Sequence, residues 1–133
     1  MADRIRVPEC LFDLNYLKGG VPRDSLLSVS QVVHTACGMT DVDYRSNMYS
    51  NVVVTGGLSL LMGFNERLQY ELQHKSPHGM RVRVQSLLTP SERRFGPWIG
   101  GSILASLGMF QSMWISRAEY DESGKDIVDK RCP

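Results

Sequence analysis

The sequence predicts an α/β fold with an incomplete sheet on which helices pack. Residues 51–57 (NVVVTGG) place three β-branched valines before a glycine pair. This is typical of a strand buried on both faces that ends in a tight turn. Residues 81–85 (RVRVQ) alternate strictly, which indicates a half-buried strand with Val82 and Val84 inward. Apolar residues at helical spacing lie between and around these two segments.

The longest apolar stretch is residues 98–114 (WIGGSILASLGMFQSMW). A helix that is apolar nearly all round is normally buried, so we predict a central core helix here. Gly100 and Gly101 each cost roughly 1 kcal/mol against alanine in a helix interior. Close approach of another backbone would offset that cost. Gly108 is predicted to end this helix, and a second short turn follows it.

The clearest amphipathic helix is predicted for residues 63–74. Phe64, Leu68 and Leu72 recur there at intervals of four and share one helical face. An earlier helix is predicted to begin at Asp24 or Ser25, either of which is a favourable cap, and to end at Gly38.

The remaining segments are predicted from their composition. We expect residues 1–24 to form an extended lead-in, because the residue before Pro8 favours extended backbone. Residues 89–96 are predicted to be a polar loop and residues 117–123 a polar, charged segment. A final short helix is predicted for residues 126–131.

Composition limits the class of protein. The chain has 133 residues, which suits one domain, and its 15 basic and 14 acidic residues nearly cancel. A dedicated nucleic-acid or membrane-surface module would normally carry a basic excess. The three cysteines are odd in number and form no CxxC pair, and the N-terminus lacks a secretory signal. These features predict reduced thiols in a cytoplasmic or nuclear protein.

Isolated polar residues give weak evidence of chemistry. His34 has no partner at metal-ligand spacing, so a hydrogen-bonded or surface histidine explains it better than a catalytic role. Asp41 and Asp43 could hold a divalent ion, but no EF-hand pattern continues from them. Capping or solvation is the better interpretation of this pair.

The Gly56-Gly57 turn carries the most specific local chemistry. A strand that runs into two glycines brings backbone close to a ligand, and ligands of α/β folds sit beyond the carboxyl ends of strands. A purely structural tight turn explains the pattern equally well. Two strands make a small sheet, so the pattern also suggests a piece of a larger α/β domain.

Several segments carry a resemblance to a known family. YSNVVVTGG, MGFNERLQYEL, ERRFGPWIGGSILASLGMFQSMWISRAEYDESG and the closing RCP resemble the C-terminal part of the actin family. The resemblance covers essentially the whole chain from RIRVPECLFD onward, and WIGGSILASL is highly specific to it. VSQVVHTACGMTDVDYRS, ERRF and the final CP are similar to nuclear actin-related proteins of subfamily four, which are subunits of chromatin-remodelling and histone-acetyltransferase complexes.

The resemblance implies an actin-like fold of the ribonuclease-H-like, actin/Hsp70 ATPase type. That fold has two halves around a nucleotide cleft, and this chain corresponds to its C-terminal portion. Residues 1–133 would be a single partial domain. After the lead-in, residues 25–90 would end the second half, and residues 91–133 would be C-terminal helices that return to the first.

The same resemblance implies where a nucleotide would lie. Gly56 and Gly57 match a contact on the purine and ribose side, and Leu61 and Arg94 match positions that flank adenine. Leucine replaces the usual tyrosine and arginine the usual lysine, which weakens the pocket. The phosphate-binding hairpins and the metal-positioning groups belong to parts of the family fold outside this sequence. The resemblance therefore implies no enzyme and no metal site in this chain, with ATP bound only in a full-length form.

The family also has a hydrophobic groove that receives partner helices. Ile103, Leu107, Met109 and Met113 match it, whereas Leu104 and Phe110 are expected to be buried in the core. The implied function is a non-catalytic scaffold subunit in the nucleus, with the cytoplasm as a second location. Its partners would be a helical segment of a remodeller ATPase, nuclear actin and other chromatin-complex subunits, without sequence-specific nucleic acid or membrane. The alternative is a conventional actin-like, ATP-binding filament protein.

Overall fold

The computed structural model describes residues 2–17, 19, 22 and 25–131. These residues form seven α-helices and two β-strands: α1 (Ala2–Glu9), α2 (Val29–Met39), α3 (Val42–Ser50), β1 (Val52–Val54), α4 (Phe64–Lys75), β2 (Val84–Ser86), α5 (Pro90–Ser106), α6 (Arg117–Ser123) and α7 (Asp126–Arg131). They also include 3₁₀ helices at Leu14–Tyr16, Gly57–Leu60 and Gly108–Met113. This mixture of helices with a small sheet confirms the predicted α/β class.

The chain divides into two compact units, residues 1–96 and residues 97–133. The assignment of residues 1–133 to a single partial domain, with residues 25–90 and 91–133 in different halves of the family fold, stays a prediction. Residues 89–96 were predicted to be a loop, and a loop would have been a natural boundary. Helix α5 instead begins at Pro90 and continues to Ser106.

The core of the first unit is built on α4. Phe64, Leu68 and Leu72 are all buried, which confirms the predicted helix and its apolar face. Helix α4 packs against α2 and β2. The other buried apolar residues of this core are Cys37, Tyr49 and Val82.

The two strands are parallel, with Val52 opposite Val84 and Val54 opposite Ser86. Val52 and Val54 pack against the core, but Val53 is 64% exposed. The prediction of a strand buried on both faces is therefore wrong, because the described elements cover only one face of β1. Val82 is buried and Val84 half-buried, as the alternating pattern predicted. The strand itself begins later than predicted, because β2 spans Val84–Ser86 and Val82 precedes it.

Side chains of α4 cover the outer edge of β2. The Val84 N–H donates to Oε1 of Gln69 at 3.3 Å, and Nδ2 of Asn65 donates to Oγ of Ser86 at 2.8 Å. Backbone groups at the edge of a sheet are free to pair with another chain unless something covers them. Here the Gln69 carboxamide takes up the Val84 N–H, and Asn65 binds the side chain of Ser86.

Helix α2 begins later than predicted. Its cap is Ser28, whose Oγ accepts from the Gln31 N–H at 3.3 Å. Ser25 is therefore not the cap, and Asp24 lies outside the described residues. Gly38 is inside the helix, which ends at Met39.

Helix α3 was not predicted from the sequence, because its few apolar residues do not define one clear helical face. Asp41 occupies its N-cap position without a side-chain hydrogen bond. The helix contributes one buried residue, Tyr49.

The predicted extended lead-in is wrong, because Ala2–Glu9 is helical. Pro8 lies near the end of α1, and the helix lacks the hydrogen bond that an N–H at this position would donate to the Arg4 carbonyl. The extended preference of the residue before it is a bias that tertiary contacts override. Glu9 pairs with Arg67 of α4 at 2.6 Å, and Leu11 and Phe12 pack against the core.

The start of α5 is a helix where a loop was predicted. Oγ1 of Thr89 accepts from the Glu92 N–H at 3.2 Å, and Oε2 of Glu92 accepts from the Thr89 N–H at 3.2 Å. Pro90 stands at the first helical position. Threonine followed three residues later by glutamate is a capping box, and proline is favoured at this position. This pattern was present in the sequence, but the polar composition of residues 89–96 led to the prediction of a loop.

The prediction of a buried central helix is wrong for residues 98–114. Trp98 is 74% exposed, Leu104 is also exposed and Phe110 is half-buried. No described residue of the second unit is buried. A Cβ built on Gly100 or Gly101 meets open space among the described atoms. The elements of this unit are too few to cover an all-apolar helix.

The expected end of α5 is confirmed, because the helix stops at Ser106 and a 3₁₀ helix, Gly108–Met113, follows. Residues 117–123, predicted only as a polar segment, form α6, and the predicted final helix is α7. Along the described part of the chain, no helix is both long and apolar enough to cross a membrane.

Replacement of Leu72 by alanine should destabilise the first unit strongly. Leu72 is fully buried, and removal of a buried leucine side chain costs about 2–5 kcal/mol. Val53→Ala is the control, since the side chain of Val53 is mostly exposed and should cost under about 0.5 kcal/mol. Urea unfolding followed by circular dichroism measures both. Equal effects would contradict the packing described here.

The second unit should lose stability in acid. Hydrogen bonds from the Ser116 backbone and hydroxyl, and then the charge of Arg131, hold the pKa of Glu119 below its ordinary value of about 4.5. A carboxylate with a lowered folded-state pKa stabilises fully above its unfolded pKa, and this stabilisation is lost as pH falls through the folded pKa. Amide exchange of α6 and α7 during acid titration should show this loss in the native chain and not in Glu119→Gln.

Candidate functional site

The predicted ligand turn follows the carboxyl end of β1. Gly56 has φ +92° and ψ 163°, a conformation that is essentially restricted to glycine. Gly57 then begins the 3₁₀ helix Gly57–Leu60. Both the Ser59 N–H and the Ser59 hydroxyl donate to the Gly56 carbonyl, at 3.2 and 2.7 Å.

The first turn of α5 holds this turn in place. The Arg93 carbonyl accepts from the Gly56 N–H at 2.7 Å and from the Thr55 hydroxyl at 2.8 Å. A Cβ added to Gly96 would lie 3.0 Å from Leu87 Cδ1 and 3.3 Å from Thr55 Oγ1. The helix therefore approaches Thr55 closely at a position where glycine has no side chain.

The side chain of Arg93 reaches the second strand. Its Nη2 donates to Oγ of Ser86, which also accepts from Nδ2 of Asn65. Arg93 Nε and Asn65 Oδ1 are buried without a hydrogen-bond partner among the described atoms. Arg93 thus joins the ends of β1 and β2 through its carbonyl and its guanidinium, and the guanidinium end of this link is incompletely satisfied.

Leu61 and Arg94 flank this arrangement. Leu61 caps the end of the 3₁₀ helix and is partly exposed. Arg94 is exposed next to Arg93, and its side chain makes no hydrogen bond or ion pair with the described residues. Leucine offers neither an aromatic face nor a hydrogen bond to a purine, whereas Arg94 offers a cation.

Gly57 fits a backbone approach to a ligand. The first N–H groups of a helix have no partner within the helix. A Cβ added to Gly57 would meet nothing within 4 Å among the described atoms. Gly57 and Arg94 could therefore face the base and ribose of a nucleotide, while the Gly56 N–H is already bonded to Arg93. The assignment of Gly56, Gly57, Leu61 and Arg94 to nucleotide binding stays a prediction.

The four residues predicted to bind a partner helix are exposed. Ile103 is in α5, Leu107 follows its end, and Met109 and Met113 are in the next 3₁₀ helix. Met109, for example, is 63% exposed. They lie close together in the sequence, and no other described residue of the second unit buries them. Their role in binding a partner also stays a prediction.

Comparison with known proteins assigns the family. A family model described as Actin matches residues 1–133, the whole chain. The chain belongs to the actin family.

This actin-family chain is similar to several proteins named Actin-related protein 4. The relative from Gibberella zeae is 46% identical over 135 residues, covering 97% of this chain and 28% of the relative. The one from Neurospora crassa is 46% identical with the same coverage, and the one from Arabidopsis thaliana is 39% identical, covering 99% of this chain and 32% of the relative. The chain spans about three tenths of the length of these relatives.

One polar cluster in this actin-family chain could not be foreseen from sequence spacing. Lys75 Nζ donates to Ser30 Oγ at 2.9 Å, and Ser30 Oγ lies 3.1 Å from Ser28 Oγ. A lysine beside a serine activates nucleophiles in some hydrolases. Here Ser30 is 0% exposed, so no substrate reaches its hydroxyl. The cluster anchors the start of α2 on α4.

The cluster continues along α4 as ion pairs. Glu71 accepts from Lys75 at 3.5 Å and from Arg67 at 3.0 Å, and Arg67 also pairs with Glu9. Burial opposes the charge on Arg67, but the two carboxylates outweigh it and raise the pKa of its guanidinium. A cavity of about 230 Å³ lies beside Arg67, Leu61 and Phe12. Arg67 is already paired, so it offers this cavity no free cation.

His34 is a hydrogen-bonded histidine, as predicted. Its Nδ1 lies 2.8 Å from the hydroxyl of Tyr49. Burial raises the pKa of Tyr49 and of the neighbouring Cys37 thiol, so both stay protonated near neutral pH.

Metal ligands do not cluster in the described ranges: no group of three or more His, Cys, Asp or Glu side chains is placed to hold an ion. Asp43 lies in the first turn of α3, where a carboxylate suits the helix dipole. Cys10 and Cys37 are free thiols, and Cys132 lies outside the described residues.

Gly56→Ala should distort the turn, whereas Gly57→Ala should not. A side chain in the Gly56 conformation costs about 1–3 kcal/mol. Gly57 has no such conformation and has open space at its Cβ, so its variant is the control. Urea unfolding measures the difference in stability. Equal stability of the two variants would contradict the positive φ of Gly56.

Proposed function

We propose that this chain forms part of an actin-related protein of the subfamily-four type that acts as a non-catalytic scaffold subunit. It would serve a nuclear chromatin-remodelling or histone-acetyltransferase complex and so regulate transcription. Support comes from its similarity to Actin-related protein 4 of fungi and a plant. The observation that carries the scaffold role is the exposed apolar row of the second unit.

That row consists of Ile103, Leu107, Met109 and Met113, each exposed in a unit without buried residues. Large exposed apolar patches mark interaction sites in soluble proteins. Methionine adapts to partner surfaces because its side chain is unbranched and polarisable. An amphipathic helix that lays its apolar face against such residues is a recurring mode of recognition. We therefore propose a helical segment of a remodeller ATPase as the partner.

Nuclear actin and other subunits of the complex are the further partners in this proposal, with the nucleus as the main location. Sequence-specific nucleic acid and membrane are not proposed as partners, since the net charge is only +1. In a full-length form, Gly57 and Arg94 would lie on the base side of ATP. Leu61 cannot stack on the base, so we propose that nucleotide binding is weak.

The non-catalytic part of the proposal is supported by the chemistry of the site. Gly56, Gly57 and Leu61 supply backbone groups and an apolar side chain, and Arg94 supplies a cation. None of these four residues can act as a general base or a nucleophile at neutral pH.

Pull-down with a helicase-associated helical peptide tests the scaffold role. The native chain should bind, and Met113→Asp should lose binding about tenfold or more, because a carboxylate cannot enter an apolar contact without a large desolvation cost. Met39→Asp is the matched control, since Met39 is an exposed methionine on α2 in the other unit.

Sedimentation in ATP and magnesium tests the alternative, a conventional filament protein. A chain that cosediments with filaments and does not retain the peptide would overturn the scaffold proposal. Peptide binding that survives Met113→Asp unchanged would show that the peptide lies elsewhere.

A further inference from the structure

A proline in α5 stands where the helix would otherwise use the Arg93 carbonyl. In an α-helix the N–H of residue i donates to the carbonyl of residue i−4, so residue 97 is the natural donor to Arg93. Pro97 lies within α5 and has no N–H. The Arg93 carbonyl is therefore left out of the helical ladder at this point. It accepts instead from Thr55 and Gly56.

We infer that Pro97 is a positioning residue for the Gly56-Gly57 turn, because its missing N–H reserves the Arg93 carbonyl for that turn. A backbone carbonyl has two lone pairs. The Gly56 N–H at 2.7 Å and the Thr55 hydroxyl at 2.8 Å use both of them. An N–H at position 97 would have to displace one of these donors.

The other contacts of this turn do not replace the carbonyl. The Arg93 guanidinium reaches Ser86, but its Nε is buried without a partner among the described atoms. Gly96 lies close to Thr55 but makes no hydrogen bond with it. The two bonds to the carbonyl are therefore the specific link between the end of β1 and the start of α5.

The link also fixes the backbone beside Arg94. Arg94 follows Arg93 directly, so bonds to the Arg93 carbonyl set how far the backbone of Arg94 lies from Gly56. Pro97 thereby determines the spacing between two residues predicted to face a nucleotide. The importance of this spacing rests on the proposed function, whereas the hydrogen-bond competition does not.

The test replaces Pro97 with alanine in the full chain and follows amide hydrogen exchange by NMR. Pro97→Ala supplies the missing N–H, so exchange of the Gly56 amide should become about tenfold faster or more, the factor that corresponds to roughly 1.4 kcal/mol. Alanine is far better than proline in a helix interior, so α5 amides after residue 97 should exchange more slowly. A merely structural proline would not move these amides in opposite directions.

Pro90→Ala is the matched control. Pro90 stands at the first helical position, where an N–H has no partner in the helix, so its replacement should leave Gly56 exchange unchanged. The double variant Thr55→Val/Pro97→Ala is a second test. Valine has no hydroxyl, so one lone pair of the Arg93 carbonyl becomes free for the new N–H at position 97. The N–H then no longer competes with the Gly56 N–H, and the Gly56 amide should again be protected from exchange.

Gly56 exchange that is unchanged or slower in Pro97→Ala would overturn the inference. Faster exchange at Gly56 and at the buried Leu72 amide by the same factor would also overturn it, since that result reports global destabilisation. These measurements use neither nucleotide nor peptide. If the proposed scaffold function fails, the exchange rates of the Pro97 variants would still have the same interpretation.

Discussion

Burial of one face of α4 is the constraint on which the first unit depends. Phe64, Leu68 and Leu72 take the centre of the core, and burial of such side chains stabilises by roughly 1.5–3 kcal/mol each. Helix α2 and strand β2 pack against this helix. Polar side chains that flank this buried face bind three neighbouring elements. Arg67 holds Glu9 of α1, Gln69 covers the edge of β2, and Lys75 binds Ser30 of α2.

The second unit lacks such a centre. Its described residues are all half-buried or exposed, although it contains the most apolar stretch of the sequence. Its order comes from local bonds, of which the capping box between Ser116 and Glu119 is the clearest. Arg131 adds bonds to Glu119 and to the Ser112 carbonyl. Polar contacts and uncovered apolar residues therefore distinguish this unit from the first.

The candidate site lies where the two strands end and α5 begins. Its parts come from distant places in the sequence: the turn after β1, the end of β2 and the first turn of α5. The Arg93 carbonyl and guanidinium bring these parts together. The arrangement presents backbone at Gly57 and a cation at Arg94.

Features that depend on a local pattern of residues could be predicted before the fold was known. The four-residue spacing of Phe64, Leu68 and Leu72 predicted α4 because a helix places such residues on one face. The motifs around WIGGSILASL predicted the family. Other features depended on atoms far apart in the sequence, and they became visible only in the folded chain. Examples are the helical state of residues before Glu9, the exposure of Trp98, and the choice of Thr55 and Gly56 as donors to Arg93. Burial and hydrogen bonding depend on which residues are in contact in the folded chain, and spacing along the sequence does not show those contacts.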